Sequence, residues 1–364
     1  MNIEKLDLIH FRNYDKVSFS FEKGCIHCLY GKNAQGKTNV IEAIYFLSHL
    51  HSFRTNQLNN LVKEGEDSFI IRTRIETKGR NEDLQVIFSD RKKHLFRYQD
   101  PIKKYSDFVG IVNAVLFCPD DMMMFQQSPR IRRHFIDIEL IKLSIKYTST
   151  LSHYQKVLHA RNMLLKQEKP DEFLLETYTD QLIQDQIVII RQRNQFVKEL
   201  IGNAQKLYPF FSKENELIDA QYRTFVPVDD SLKENLTAVY KNSLERDKRY
   251  RQTTLGIHKD DLDFIINGKL LREIASQGQK RSFLLALKLG LTKMIEDKTG
   301  QYPILLLDDV FSELDEFRRR RFIQILPGSM QIFITTTDKM DLSWFKGRKV
   351  HFYEIDSGKA KEVT

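Results

Sequence analysis

The sequence is poor in cysteine. Its 364 residues include three, Cys25, Cys28 and Cys118. An odd, small number in a chain of this length argues for a reducing compartment. The opening stretch MNIEKLDLIHFRNY carries charges throughout and no apolar h-region, so no signal peptide is expected. No apolar run approaches the length of a membrane span, and the cytoplasm is the expected location. The CIHC stretch at 25–28 resembles half a zinc site, but there is no second cysteine pair to complete it. The segment also reads as a strand, whose period of two puts Cys25 and Cys28 on opposite faces. Buried structural cysteines are expected there.

Glycine is missing from the middle of the chain, with none between Gly110 and Gly202, and Pro170 is the only proline within 130–207. These absences predict two long helices, roughly 130–168 and 172–207, folded back at Lys169–Pro170. Each would span on the order of 55 Å. Leu151, Tyr154, Leu158 and Leu165 recur at helical spacing, and Leu175, Leu182, Ile189 and Phe196 recur every seven residues. That rhythm fits an antiparallel hairpin with a coiled-coil-like seam.

Length allows two or three domains. Hydrophobic residues at 41% and charged residues at 29% are ordinary for a globular protein. The net charge of +8 and the pI near 9.1 are compatible with a polyanionic partner such as nucleic acid. Before the glycine-free stretch, VSFSFE alternates as a half-buried strand and CIHCLY forms the next. FIIRTRI, LQVIF, HLFRY and IVNAVLF follow as short strands between turns, which suggests antiparallel pairing beside the CIHCLY strand. Near 250 the chain returns to strands and loops. YPILLLDD and QIFITTTD flank a helix and suggest a parallel sheet.

Residues 31–39 read GKNAQGKTN. The stretch lies between a strand and KTNVIEAIYFLSHL, whose Val40, Ile41, Ile44 and Leu47 have helical spacing; this is the context of a P-loop. Glycine permits close backbone approach to phosphate, and the helix beginning at Lys37 aims its dipole at the anion. On this reading Gly31, Lys32, Asn33, Ala34, Gln35 and Gly36 cradle the phosphates of ATP. Lys37 meets the β- and γ-phosphates, and the Thr38 hydroxyl is a ligand for Mg2+. Asp308 and Asp309 emerge from the buried ILLL strand at its C-terminal end, where open α/β sheets bind ligands. Asp308 is expected to hold Mg2+, and Asp309 to orient or deprotonate the attacking water. Ser276, Gln277, Gly278 and Gln279 open a helix and form a second anion site. One ATP does not need both sites on one chain. A twofold homodimer, in which each SQGQ loop reaches the γ-phosphate held by the other copy, would use both.

Together GKNAQGKTN, SQGQ, LLLDD and SELD resemble the ATPase heads of the ABC type found in DNA-maintenance proteins, the SMC, Rad50 and RecF families. FRNY at 11–14, SFRT at 52–55, SPRIRRHFID, YQKVLHARNMLL, GIHKDDLDF and SQGQKR are similar to RecF-family motifs over nearly the whole chain. The resemblance implies an α/β fold: an ABC-type P-loop ATPase head with mixed sheets and an inserted α-helical hairpin lobe. It implies a recombination mediator that binds DNA as an ATP-dependent dimer at gapped or single-strand–double-strand junctions. Such a mediator acts with RecR and RecO to help load RecA, and its ATPase is slow. It also places Ser312 and Asp315 in the D-loop beside the dimer axis. Ile257 and Lys259 stand where the family pattern has proline and arginine, and Thr337 occupies the switch position where transporter-type proteins have histidine. Gln126 and Gln127 are the candidates for a Q-loop glutamine.

The expected domains are a head of 1–125 and 250–364 and an inserted arm of 126–249. A transporter ATPase would bring its signature loop soon after the P-loop, whereas here about 240 residues intervene. The alternative is a DNA-tethering ATPase of the SMC or Rad50 kind, but no cysteine follows Cys118 to make a zinc hook. Arg130, Arg132 and Arg133, and Arg246, Lys248, Arg249 and Arg251, are open to DNA contact or to local ion pairing. Arg318 to Arg321 are expected to be mostly solvated surface.

Overall fold

The computed structural model describes residues 1–212, 214–337, 345 and 347–363, except that the Ser312 side chain lies outside the described residues. Two compact units divide the chain: 1–122 with 203–215 and 276–364, and 123–202 with 216–275.

The first unit opens with β1 (Asn2–Phe11), β2 (Tyr14–Ser20) and β3 (Ile26–Tyr30), then α1 (Lys37–His49). There follow β4 (Phe69–Thr77), β5 (Arg80–Ser89), β6 (Lys92–Arg97), β7 (Asp100–Ile102) and β8 (Ala114–Phe117). One six-stranded sheet has the order β2-β1-β4-β5-β6-β7 and is antiparallel throughout. The expected antiparallel pairing is therefore real, but it excludes β3. β3 is buried along almost its whole length, as strands covered on both faces of a parallel sheet are. β8, read from sequence as one of the same series, instead pairs in parallel with a strand from the end of the chain.

The second unit holds α2 (Pro129–Leu143), α3 (Ile145–Leu165), the beginning of α4 (Glu172–Leu207), β9 (Ile218–Arg223), α5 (Leu232–Tyr250), β10 (Asp261–Ile266), β11 (Lys269–Leu270) and α6 (Leu271–Ile274). The first expected long helix is two. Ser144 is extended (φ −145°, ψ 105°), and its side chain accepts the Tyr147 N–H at 3.1 Å, capping α3. The hairpin of α3 and α4 is antiparallel: Tyr147 meets Arg193, His153 meets Asp185 and Arg161 meets Thr179. Leu175, Leu182, Ile189 and Phe196 are all buried along the seam. The unit extends past the expected boundary at 249 because β10 pairs antiparallel with β9. A three-stranded sheet, β11-β10-β9, keeps residues 216–275 together.

The chain returns to the first unit with α7 (Gln277–Thr299), β12 (Ile304–Asp308), α8 (Val310–Glu313), α9 (Glu316–Ile325), β13 (Ile332–Thr336), β14 (Val350–Asp356) and β15 (Lys359–Val363). The second six-stranded sheet has the order β15-β14-β3-β13-β12-β8, with β14, β3, β13, β12 and β8 mutually parallel. α1 shares one apolar core with both six-stranded sheets. Residues from Val40 to His49 are all buried, as a helix covered on every side requires. The strand ends and the start of α1 thereby meet at one edge.

Candidate nucleotide-binding site

The turn from β3 into α1 needs its glycines. Gly31 has φ 148° and Gly36 φ 118°, conformations that side chains rarely adopt. A Cβ at Gly31 would collide with the Ile355 carbonyl oxygen, and one at Gly36 with the Asn13 side chain. The loop is held from two sides. Asn13 donates to the Gln35 carbonyl at 2.8 Å and Tyr14 to the Gly36 carbonyl at 3.1 Å. The Ser357 N–H donates to the Gln35 Oε1 at 2.6 Å. The Lys37 ammonium donates to the Gly31 and Lys32 carbonyls at 2.5 and 2.8 Å, so it lies across the loop itself.

Thr38 and Asp308, 270 residues apart, are joined. The Thr38 hydroxyl donates to Asp308 Oδ1 at 2.8 Å, and the Thr335 hydroxyl donates to the same oxygen at 2.8 Å. Burial pushes the Asp308 carboxyl above its ordinary range, against the two hydroxyls that favour its charge. Asp309 turns left-handed (φ 52°), and its N–H donates to the Thr335 hydroxyl at 2.9 Å. Beside these groups opens a cavity of roughly 290 Å³, lined by Asn33, Gly36, Lys37, Thr38, Arg54 and Asp309 among others. Ala34, Asn39, Thr335, Thr336 and Thr337 complete the lining.

Behind the loop, Glu42 is fully buried on α1. Arg12 holds it through two hydrogen bonds of 2.8 and 2.6 Å, Ser52 donates to it at 2.5 Å, and Arg54 approaches at 3.5 Å. Arg54 also donates to Asn39 Oδ1 at 2.9 Å. FRNY and SFRT thus support the loop, a role that their quoted resemblance left unassigned. Neither motif has a spacing that shows it would meet α1.

Ser276 caps α7 in a reciprocal box: its oxygen accepts the Gln279 N–H at 3.2 Å, and its own N–H donates to Gln279 Oε1 at 2.7 Å. Ser276 and Gln277 are exposed, and none of Ser276, Gln277, Gly278, Gln279 or Asp315 lines the cavity. Arg318 connects these elements instead. It donates to the Gly278 carbonyl at 3.1 Å and the Ser282 hydroxyl at 2.9 Å, and pairs with Asp315, which caps α9. The run from Arg318 to Arg321 is therefore not uniformly solvated: Arg319 donates to the Leu314 carbonyl at 2.6 Å, while Arg320 pairs with Glu316 on the surface.

In the second unit Arg132 is buried and bonded to both carboxylate oxygens of Asp261, at 2.7 and 3.0 Å. Lys248 pairs with Glu172 at 3.0 Å. Ion pairing thus occupies two members of the basic runs that could also have met DNA. Gln126 and Gln127 are not among the cavity-lining residues.

A P-loop on the parallel strand β3, an aspartate pair at the end of β12 two places along the same sheet and a serine-capped helix define an ATPase head of the ABC type. The family model for the RecF/RecN/SMC N terminal domain matches residues 2–350. The DNA replication and repair protein RecF of Oceanobacillus iheyensis is 39% identical over 346 residues, covering 93% of this chain and 94% of its own length. The solved structure of the recombination mediator RecF with ATP, in the RecFOR pathway, superposes with a TM-score of 0.92 at 31% identity, covering 100% of this chain and 97% of the other. An Smc head domain from Pyrococcus furiosus shares the fold at a TM-score of 0.56 and 17% identity, over 99% of this chain and 95% of its own. The chain belongs to the RecF family of DNA replication and repair ATPases within the wider SMC group. Among the described residues no helix is long and apolar enough to cross a membrane.

Proposed function

We propose that the chain is an ATP-dependent recombination mediator, a homodimer closed by nucleotide on gapped or single-strand–double-strand DNA. The P-loop amides and Lys37 hold the ATP phosphates. The site's hard oxygen donors suit magnesium, with Thr38 and Asp308 as its ligands; the ion would neutralise charge on the phosphates. Asp309, at the cavity wall, orients or deprotonates the attacking water. Slow DNA-dependent hydrolysis then opens the dimer. By analogy with the relatives, RecR and RecO are the partners and RecA loading is the outcome, in the cytoplasm.

The observation that carries this reading is the exposure of the Ser276 cap outside the cavity of its own chain. An exposed helix N-terminus carrying a serine is suited to a phosphate held by a second copy. Light scattering tests it. Wild type is expected to dimerise with ATP, Asp309→Asn to remain dimeric for longer, and Lys37→Met to bind no ATP. Ser276→Arg is expected to bind ATP as a monomer. If Ser276→Arg dimerises with ATP as wild type does, the Ser276–Gln279 loop does not act across copies.

A further inference from the structure

The strand register of the parallel sheet brings together a group that the nucleotide site does not use. β14 pairs with β3 so that His351 lies opposite His27. Cys25 precedes His27 by two residues, so Cys25, His27 and His351 share one face of the sheet. Cys28 is opposite Phe352 on the other face. Glu22 reaches the same place from the turn that enters β3. One ligand atom each from Glu22, Cys25 and His351 lies within 4.8 Å of the other two. Cys25 is buried, the His351 side chain is 17% exposed and Glu22 is open to solvent.

We propose that Glu22, Cys25 and His351 form a binding site for a borderline-soft divalent cation of the zinc class. Thiolate, imidazole and carboxylate are the ligand types such an ion takes, and three protein ligands leave a fourth position for water on the Glu22 side. His351 is already set for ligation. Its Nε2 points at Glu22, 3.0 Å away, and its Nδ1 is 2.8 Å from Glu362. A carboxylate behind the outer ring nitrogen is the arrangement that orients a ligating imidazole and raises its basicity. As the sulfur–metal bond forms, the Cys25 thiol releases its proton to solvent.

Lys349 is the competitor. Its ammonium lies 2.5 Å from Glu22 and its side chain is 60% exposed. An exposed pair of this kind is worth little, so a dication displaces it readily. The bound ion would tie the turn at Glu22–Cys25 to β14. The far end of β14 lies under the P-loop, where Ile355 approaches Gly31 and Ser357 bonds Gln35.

The test is titration of the chelator-treated full chain with zinc, read by competition with a metal indicator, and with cobalt, read by absorption. Wild type is expected to bind one equivalent and to show the near-ultraviolet thiolate-to-cobalt band. Cys25→Ser should lose the band, Cys28→Ser and Cys118→Ser should keep it, and His351→Gln should weaken binding about tenfold or more. Lys349→Met should tighten it. This exposed substitution leaves the fold intact and tests the site even if Cys25→Ser does not fold. The proposal is overturned by a missing band, by a band unchanged in Cys25→Ser, or by an affinity unmoved in Lys349→Met. A second group, His10, Asp15 and Glu66, contains no sulfur. Binding there would give no thiolate band and would likewise count against the proposal.

Discussion

The Arg318 guanidinium donates to the Gly278 carbonyl at 3.1 Å while its other end pairs with Asp315. One planar side chain thereby fixes the first turn of α7 against the cap of α9. Lysine has no such fork of donors.

Arg318→Ala is expected to leave ATP binding by the monomer unchanged and to weaken ATP-dependent dimerisation by about tenfold, the effect of losing a charge-assisted contact of 1–2 kcal/mol. Arg318→Lys should recover little of it. Sedimentation with and without ATP reads the effect. Wild-type dimerisation in Arg318→Ala would show that Arg318 plays no part in presenting the Ser276–Gln279 turn to a second copy.

Arg12 neutralises a carboxylate with no exposure to water, since Glu42 is fully buried. Arg12→Ala leaves that charge to Ser52 and Arg54 and should cost about 3–5 kcal/mol of stability. Arg54 lines the cavity and would be drawn toward Glu42, so nucleotide affinity should fall together with the melting temperature. Measuring both separates this expectation from simple loosening. A large loss of stability with unchanged nucleotide affinity would show that Arg54 keeps its place without Arg12.

Much of this site could be read in advance because its residues obey local rules. Glycine spacing marks the P-loop, a buried strand ending in acids marks Asp308 and Asp309, and Ser276 followed by Gln279 is a capping box. The supports could not be read, because they come from distant chain segments. Nothing near Asn13 or Ser357 in sequence shows that they clamp Gln35, and Thr335 reads only as the end of an apolar strand. The parallel pairing of β8 with β12 is hidden for the same reason, since periodicity identifies a strand without naming its partner. The break at Ser144 is hidden for a different reason: glycine and proline are the usual marks of a helix end, and here an extended serine that caps the next helix ends it.

Arg161 lies in the α3 seam with no exposure, over the Tyr240 ring. It bonds Asp247 at 2.8 Å, Thr253 at 2.7 Å and Thr179 at 3.0 Å. Arg161→Ala strands the equally buried Asp247, which keeps the Thr254 N–H and hydroxyl. A loss of about 3–5 kcal/mol is expected. Hydrogen exchange should quicken across 145–202 and 232–255, with nucleotide binding by the first unit retained. Exchange rising equally through β3 and β12 would show that the two units do not unfold separately.

His258 gives the protein an acid sensitivity of definite sign. It lies 3.0 Å from the Tyr154 hydroxyl, with Lys259 and Arg133 adding positive charge and Asp247 opposing them. Burial first, and those cations second, lower it from 6.5 to about 4. The folded chain therefore holds this imidazole neutral while the unfolded chain protonates it at the ordinary value. The stability that depends on neutral His258 is fully present above pH 6.5 and is lost as pH falls from 6.5 to about 4, by up to about 3 kcal/mol. His258→Asn should be less stable at neutral pH, where the Tyr154 contact is weakened, yet lose less on acidification. Urea titrations of both proteins across that window measure the difference in slope, and parallel curves would assign the acid sensitivity to other groups.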